Sequence, residues 1–531
     1  MLKPAVLLIL TLLLARPFAV LSQNDVKSDV QKLETFLNSV DSRYVDDVET
    51  SKLVEKGVRS MLEELDPHSV YLNAEQYRKA NEPLKGKFKG LGIRFQTIQD
   101  TITVLDIIEN SAAEAMGLKT GDRILAIGAD TIAGKGLSAS KVSNMLRADS
   151  SDNKPLLIDR DGMGLMMFEL KRSDVAISSV PAYFVIEKGV GYIKLSRFSS
   201  NSLNEFRDAL SELKKKKIDN LILDLRGNSG GYLNVAVRIT DEFLDNRKLI
   251  VYTEGKHQPR KDTYATSGGL FTKGNLIVLI DENSASASEI LAGAVQDWDR
   301  GLIIGRRSFG KGLVQRTVEF NDGSAMRLTI SRYYTPTGRS IQKPYEGGNH
   351  TAYRTELRNR ALRGELYSRD SIRVSDSLVF FTPSGRKVYG GGGIVPDVFV
   401  PADSAINNPC WSEIAKSGLL YSFAIKNSAS RGSRWRDRYP DASSFAHEFK
   451  PDIELLNEFE KYLNHRGVEC NPDDWSRCAD FVSRQLHINL ARFIYGYPAY
   501  WQVLAHYDKT VQAALHEIED GTIKELGLNQ K

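Results

Sequence analysis

Three serines lie close together where an apolar stretch gives way to a helical pattern. Residues 276–280 predict a buried strand, and residues 289–298 show helical periodicity. Ser284, Ser286 and Ser288 lie between them. A hydroxyl at the start of a helix lies beside unpaired backbone N–H groups, which favour negative charge. This position suits a nucleophile whose reaction builds an oxyanion, although serine is also a common helix cap.

Two glycine-containing stretches could complete such a site. The segment Ser-Phe-Gly-Lys-Gly-Leu-Val-Gln, residues 308–315, places Lys311 in a turn and Gln315 four residues later. The segment Asp-Leu-Arg-Gly-Asn-Ser-Gly-Gly, residues 224–231, follows an apolar strand and is called the glycine loop below. Its glycines allow backbone N–H groups to approach an anion. A neutral, buried lysine could accept a serine proton while this loop stabilises the oxyanion, but the spacing equally fits a surface lysine in a turn.

The length and the charge of the chain limit the alternatives. With 531 residues the chain is expected to form several domains, and its 41% hydrophobic and 26% charged residues are ordinary for a globular protein. The formal net charge is only +4, so the sequence does not predict a nucleic-acid partner.

Residues 1–22 resemble a signal peptide. Lys3 precedes an apolar run at residues 5–14, and Val-Leu-Ser at residues 20–22 could be cleaved. We therefore expect export to a periplasm, with membrane association left open. Disulfides would be allowed there, and the short spacing favours Cys470 with Cys478 as the pair, which would leave Cys410 odd, although the sequence does not settle the connectivity.

Periodicity divides the chain into regions of different type, so the predicted fold class is multidomain, α/β plus β. The pattern changes from helical to short alternating strands, then to alternating strands and helices, and finally to helices with aromatic residues. The predicted regions are a signal peptide at 1–22, a helical region at 23–84, a β-rich domain at 85–172, an α/β core at 173–401 with an arginine-rich insertion at 347–377, and a helical extension at 402–531.

The β-rich region resembles a PDZ domain. The resemblance rests on Gly-Leu-Gly-Ile at residues 90–93, on Asn-Ser-Ala-Ala at 110–113 and on Gly-Leu-Lys-Thr-Gly-Asp-Arg-Ile at 117–124. Such domains bind a peptide C-terminus as an added strand. The resemblance implies that the tail contacts are Leu91, Gly92, Ile93, Val142 and Leu146.

The whole set of motifs is similar to the carboxyl-terminal processing (tail-specific) peptidases. The similarity rests on Ser-Ala-Ser-Ala-Ser-Glu at 284–289, Phe-Gly-Lys-Gly-Leu-Val-Gln at 309–315 and the glycine loop, together with Leu-Asp-Pro-His-Ser-Val-Tyr-Leu at 65–72 and Gly-Gly-Ile-Val-Pro-Asp at 392–397. It implies a protease core of the ClpP/crotonase type that cleaves protein or peptide substrates near accessible C-termini. It also implies a PDZ domain that binds the tail and gates the active site, and neither cofactor nor metal. An adaptor protein and a homo-oligomer are left open.

The resemblance also implies a role for each site residue. Ser286 corresponds to the nucleophile, Lys311 to the general base and Gln315 to the residue that orients the lysine. The oxyanion donors would be the backbone N–H groups of Ala287, Gly230 and Gly231.

Two other functions compete with this interpretation. Gly-Asn-Ser-Gly-Gly at residues 227–231 also fits a nucleophile elbow, which would make Ser229 the nucleophile of a hydrolase with a downstream histidine (His257, His350 or His447). A protein of another class, a PDZ scaffold without catalysis, would need neither Ser286 nor Lys311.

Overall fold

The structure is a computed structural model that describes residues 21–147 and 154–525. The predicted signal peptide lies outside the described residues except for Leu21 and Ser22, which begin the first helix. No described helix is long and apolar enough to cross a membrane.

Helices dominate the two ends of the described chain. They are α1 (Leu21–Arg43), α2 (Thr50–Glu63), α3 (Ala74–Lys85), α4 (Ala112–Ala115), α5 (Ala139–Arg147), α6 (Ser202–Lys215), α7 (Leu233–Asp241), α8 (Ala287–Asp297), α9 (His350–Leu362), α10 (Pro409–Ser417), α11 (Leu419–Arg438), α12 (Ala442–Glu448), α13 (Ile453–His465), α14 (Pro472–Tyr495), α15 (Tyr497–Tyr507), α16 (Lys509–Glu519) and α17 (Thr522–Glu525). Single 3₁₀ turns lie at Arg369–Ser371, Asp376–Leu378 and Ser404–Asn407.

Strands occupy the middle of the chain. They are β1 (Val70–Leu72), β2 (Lys87–Gly90), β3 (Ile93–Ile98), β4 (Thr101–Ile107), β5 (Arg123–Ile127), β6 (Asp130–Thr131), β7 (Pro155–Arg160), β8 (Gly164–Glu169), β9 (Ser173–Ala176), β10 (Ala182–Glu187), β11 (Val190–Lys194), β12 (Asn220–Asp224), β13 (Leu249–Gly255), β14 (Gln258–Tyr264), β15 (Asn275–Ile280), β16 (Leu302–Gly305), β17 (Leu313–Glu319), β18 (Ala325–Tyr334), β19 (Val379–Phe381), β20 (Lys387–Tyr389) and β21 (Val398–Phe399).

A six-stranded sheet forms the centre of the α/β core, in the order β10-β11-β12-β15-β16-β21. Only β10 runs antiparallel to its neighbour, so the other five strands end at the same edge. Residues of β12 alternate between the two faces. Leu221 and Leu223 pack in one hydrophobic cluster with α6, α7 and α8, and Ile222 packs in a second cluster on the opposite face.

A second, antiparallel sheet contains the end of the segment at residues 308–315, called the lysine segment below. It has the order β1-β18-β13-β14, with β17 also paired to β18. The N-terminal region is therefore not purely helical, because its strand β1 pairs with β18 of the core.

The PDZ-like domain lies between α3 and the core. Its sheet has the order β3-β4-β5-β7-β8, with β6 on β5, so that β3 is an edge strand. The chain enters and leaves this domain along one antiparallel pair, β2 with β9.

The C-terminal extension has a hydrophobic core of its own, to which one disulfide contributes. The bond joins Cys410 to Cys470, whereas Cys478 is free and buried. The predicted Cys470–Cys478 pair is therefore wrong. Cys478 lies inside α14 on the helix face that enters the core, and Cys470 precedes that helix.

The extension also packs against the α/β core. The second face of the central sheet is covered by apolar residues of the last helices, among them Ala505, Val511 and Leu515. A mainly parallel sheet needs both faces covered, and here the extension supplies the second layer.

Candidate active site

The edge where the parallel strands end brings three loops together. The glycine loop follows β12, the serine segment follows β15, and the lysine segment follows β16. These three strands are adjacent and in register, with Asp224 beside Leu279 and Ile280 beside Gly305. Ligands of open α/β sheets bind at this kind of edge, at the carboxyl ends of the strands.

Ser286 has an unusual backbone conformation. It precedes α8 with φ +55° and ψ −111°. Non-glycine residues rarely adopt such angles, and the strain costs about 1–3 kcal/mol. Sharp strand-to-helix turns of this kind present a nucleophilic serine in hydrolases.

The neighbouring serines have structural roles. Ser284 is buried and its hydroxyl donates to the carbonyl of Leu225 at 3.0 Å. Ser288 is also buried and donates to the carbonyl of Asn228 at 2.8 Å. Ser286 alone among the three is partly exposed. The geometry thus favours Ser286, a choice that the residue pattern by itself had left open.

Lys311 is held by a side-chain hydrogen bond and is mostly buried. Its Nζ donates to Oε1 of Gln315 at 3.0 Å. Burial lowers the pKa of Lys311 below its ordinary value of 10.5, and the positive charge of Arg327 lowers it further. A lysine with a lowered pKa is neutral in a larger fraction of molecules than an ordinary lysine at the same pH, which suits it to accept a proton.

Gln315 is oriented from the N-terminal region. Its Nε2 donates to the backbone carbonyl of His68, and Nε2 of His68 lies 2.7 Å from the hydroxyl of Tyr353 in the insertion. Burial, with a smaller contribution from Lys311, lowers the pKa of His68 from 6.5 to about 4, so this imidazole is neutral at pH 7. His68 therefore acts through its carbonyl.

Glu289 joins the serine segment, residues 284–289, to the lysine segment, a role that was not predicted from the sequence. One carboxylate oxygen accepts from the N–H groups of Ser286 at 2.7 Å and Lys311 at 2.9 Å. The other accepts from the Gly310 N–H at 2.7 Å and the Ser308 hydroxyl at 2.6 Å. Burial raises the pKa of Glu289 from 4.5 to about 7. The capping-box pattern Ser-x-x-Glu at residues 286–289 could have indicated half of this network.

Tyr333 connects the same two segments from β18. Its buried hydroxyl lies 3.0 Å from the carbonyl oxygen of Ser286 and also contacts the carbonyl oxygen of Lys311. Glu289 accepts one hydrogen bond from each backbone, and the single hydroxyl hydrogen of Tyr333 is shared between the two carbonyl oxygens, so both side chains hold the backbones of the candidate nucleophile and base against each other.

The glycine loop packs directly against Ser286. A Cβ atom added to Gly230 would lie 2.9 Å from the Cβ of Ser286, so only glycine fits there. However, the Gly230 N–H donates to Oδ1 of Asn228 at 2.9 Å, and the prediction that it is an oxyanion donor does not hold in this conformation. Ala287, at the start of α8, and Gly231 remain the predicted donors.

The predicted tail contacts are divided between the core and the edge of the PDZ-like domain. Leu91, Val142 and Leu146 are at most 3% exposed and pack in the hydrophobic core of that domain. Ile93 lies on the edge strand β3, and Gly92 precedes it with a φ of +88°. In this conformation only Gly92 and Ile93 lie at the edge where a peptide strand could add, and the other three contacts stay predictions.

Ser229, the competing nucleophile, has a different environment. It is exposed in the glycine loop, and it is not among the described non-glycine residues with positive φ. Of its proposed partners, His447 lies in the C-terminal extension against His506. The geometry does not favour a nucleophile elbow at Ser229.

The fold and the site define a PDZ-containing peptidase of the serine type. Family models agree along the chain: peptidase family S41 matches residues 189–348, a PDZ domain matches 90–165, and the activating protease CtpB N-terminal domain matches 19–76. A family of unknown function matches residues 410–496 in the extension.

Curated relatives identify the family. A carboxy-terminal-processing protease of Bartonella bacilliformis is 34% identical over 331 residues, which is 61% of this chain and 75% of the relative. The carboxy-terminal processing protease CtpB of Bacillus subtilis is 33% identical over 332 residues, 61% of this chain and 68% of the relative. The chain belongs to the carboxy-terminal processing protease family.

A solved structure is also similar. The photosystem II D1 C-terminal processing protease is 25% identical, and the match covers 69% of this chain and 91% of that chain with a TM-score of 0.36.

Proposed function

We propose that the protein is an exported endopeptidase that cleaves proteins near their C-termini with a dyad of Ser286 and Lys311. The observation that carries the proposal is the buried Lys311 with its lowered pKa, hydrogen-bonded to Gln315 and tied through Glu289 to the strained Ser286. The disulfide Cys410–Cys470 supports export, because such bonds persist in oxidising compartments.

The proposed reaction has two balanced steps. Neutral Lys311 accepts the proton of Ser286 as its Oγ forms a bond to the scissile carbonyl carbon, and the N–H groups of Ala287 and Gly231 stabilise the oxyanion. The protonated lysine then donates to the leaving amine as the peptide bond breaks. Water next attacks the ester on Ser286 while Lys311 accepts its proton, and the lysine returns that proton to Oγ as the ester bond breaks, which restores the serine hydroxyl and releases the acid product.

The pH dependence of kcat/KM tests the base. The neutral fraction of Lys311 grows as pH rises. The rate should therefore rise about tenfold per pH unit below the pKa of Lys311 and level off above it, and burial places this pKa below its ordinary value. The inflection should lie below 10.5, the ordinary value. Lys343 is also buried with a lowered pKa, so Lys343→Met is the matched control and should keep the inflection. A rate that stays flat between about pH 6 and 9, with chemistry rate-limiting, would contradict the role of Lys311.

Selection of the tail tests the proposed role of the PDZ domain. An unstructured protein that ends in apolar residues should be cleaved with a kcat/KM at least about tenfold higher than the same protein with two aspartates at its C-terminus, because PDZ domains bind a tail through apolar pockets. The control places the two aspartates in the interior of the substrate. Equal cleavage of all three substrates would exclude selection by the tail. Tail binding without cleavage of any of them would favour a PDZ scaffold.

A further inference from the structure

One arginine of the glycine loop is held by the C-terminal extension. Nη1 of Arg226 donates to both carboxylate oxygens of Asp508, at 2.7 and 2.8 Å. Asp508 is also the N-cap of α16 and accepts from the N–H groups of Thr510 and Val511. The same carboxylate therefore starts a helix that covers the core sheet and anchors the loop beside Ser286.

The remainder of the glycine loop contacts the residues on both sides of Ser286. After Arg226, the Gly227 N–H donates to Asp281 at 2.9 Å. The carbonyl of Asn228 accepts from the Ala285 N–H and the Ser288 hydroxyl, and Gly230 contacts Ser286. A displacement of Arg226 would therefore also move the loop residues that contact Ser286 and its neighbours on both sides.

The extension also holds the PDZ domain, sixteen residues earlier in the chain. Arg492, in the last turn of α14, donates through Nε to Asp106 of β4 at 3.0 Å, and through Nη2 as well. Both side chains are nearly buried. Next to this pair, the guanidinium of Arg94 on β3 lies 4.1 Å from the ring centre of Tyr497. A buried ion pair fixes geometry, because breaking it leaves an uncompensated charge.

Helix α15 connects the two contacts. It spans Tyr497–Tyr507, so Arg492 precedes it closely and Asp508 follows it directly. Its Trp501 ring lies 5.5 Å from Nζ of Lys194, which donates to Asp224 at the start of the glycine loop. The middle of α15 thus lies against the α/β core.

We propose that α15 couples the position of the PDZ domain to the glycine loop, with Asp508 as a positioning residue for Arg226 and Arg492 as the contact to Asp106. This inference rests on the proposed peptidase function and assigns a role to the extension. Asp508 touches neither substrate nor reacting atoms and acts through the loop. A bound tail that displaces the PDZ domain would also displace Arg492 and α15. The conformation of the glycine loop beside Ser286 would change as a result.

Two isosteric changes test the coupling in the full-length chain. Asp508→Asn keeps an oxygen for the α16 cap but removes the negative charge that faces Nη1 of Arg226, which stays paired with Asp224 through Nε and Nη2. Asp106→Asn likewise removes the negative charge that faces Arg492. Each should lower kcat by on the order of fivefold to tenfold with KM unchanged within about twofold. The double variant should lose about as much as either single variant, because both act on one element. Asp452→Asn, an N-cap change on α13 of the same extension, is the matched control and should keep wild-type kcat.

Hydrogen exchange gives a readout that does not need activity. Asp106→Asn, although it lies in the PDZ domain, should reduce protection at residues 227–231 at least about threefold, and Asp452→Asn should not. Exchange changes confined to the PDZ domain, or kcat losses that multiply in the double variant, would overturn the coupling. If the wild-type chain cleaves no substrate, the proposed function fails, and the exchange experiment still decides the coupling.

Discussion

Ser286→Ala is expected to abolish cleavage of an unstructured protein with an apolar C-terminus, with a loss in kcat of roughly 10³-fold to 10⁶-fold. The change removes the one atom that forms the covalent bond, and neither Ser284 nor Ser288 can replace it because both hydroxyls are buried and donate to backbone carbonyls. Cleavage is measured by the appearance of shortened product. Binding of a tail peptide to the same variant should keep its Kd, because the predicted tail site lies in another domain.

Lys311→Met should cause a loss of the same order, since it keeps the length of the side chain and removes the proton acceptor. The double variant Ser286→Ala with Lys311→Met should be no slower than either single variant, because residues that act as a unit are not additive. Ser229→Ala is the matched control for an exposed serine close to the site and should retain wild-type kcat. Activity in Ser286→Ala together with loss in Ser229→Ala would move the nucleophile to the glycine loop.

The pattern of residues is sufficient to locate the segment that contains the nucleophile, but it is not sufficient to choose Ser286 among the three serines. Strand and helix periodicity located the segment, and the family resemblance selected the middle serine. From the residues alone the three serines were equivalent, because burial and backbone strain depend on contacts with β12 and the glycine loop. The φ of +55° at Ser286 is a property of the folded site.

The cysteines show the opposite case, in which spacing in the sequence misled. Cys470 and Cys478 are close in sequence, but α14 directs Cys478 into the core of the extension. Cys410, 60 residues away from Cys470, comes within disulfide distance because α10 packs against α14. Pairing depends on tertiary packing, which spacing does not contain.

The role of the extension could have been partly anticipated. Strands such as residues 276–280 are apolar on both faces, which predicts a sheet covered on both sides. The helices α6, α7 and α8 cover one face. The amphipathic helices near the C-terminus were the remaining candidates for the other face, but no local pattern links them to a sheet so far away in sequence.

Glu289→Gln is expected to lower kcat about 100-fold, although Glu289 does not touch the substrate in the proposed reaction. Above about pH 7, where Glu289 is ionised and the assay is run, the carboxylate accepts four hydrogen bonds, two on each oxygen. An amide has the same shape but offers one accepting oxygen, so its NH₂ group must face two donors, whichever way it is turned. The backbones of Ser286 and Lys311 would separate, and a misplacement of about 1 Å between reacting groups costs on the order of 100-fold.

Glu289→Gln should also change the free energy of unfolding, and the size of this change should depend on pH. Burial raises the pKa of Glu289 from 4.5 to about 7, so the folded state favours the protonated form. Its stabilising contribution is complete below 4.5 and is lost as pH rises through about 7, where the buried carboxyl must ionise. Glu289→Gln removes this penalty, and the free energy of unfolding of the variant should therefore fall less between pH 5 and 8 than that of the wild type.

Glu282→Gln is the matched control, because Glu282 lies in the same turn but pairs with the side chain of Arg306, whereas Glu289 accepts from the backbones of Ser286 and Lys311. It should keep kcat within about twofold, since the amide oxygen can still accept from Arg306 and the hydrogen bonds of Glu289 stay in place. Denaturation at both pH values, with kcat measured on folded protein, separates the two effects. Wild-type kcat in folded Glu289→Gln would show that the dyad is aligned by Tyr333 and the glycine loop without the carboxylate. A loss in Glu282→Gln as large as in Glu289→Gln would show that the whole turn, rather than the shared carboxylate, determines the alignment.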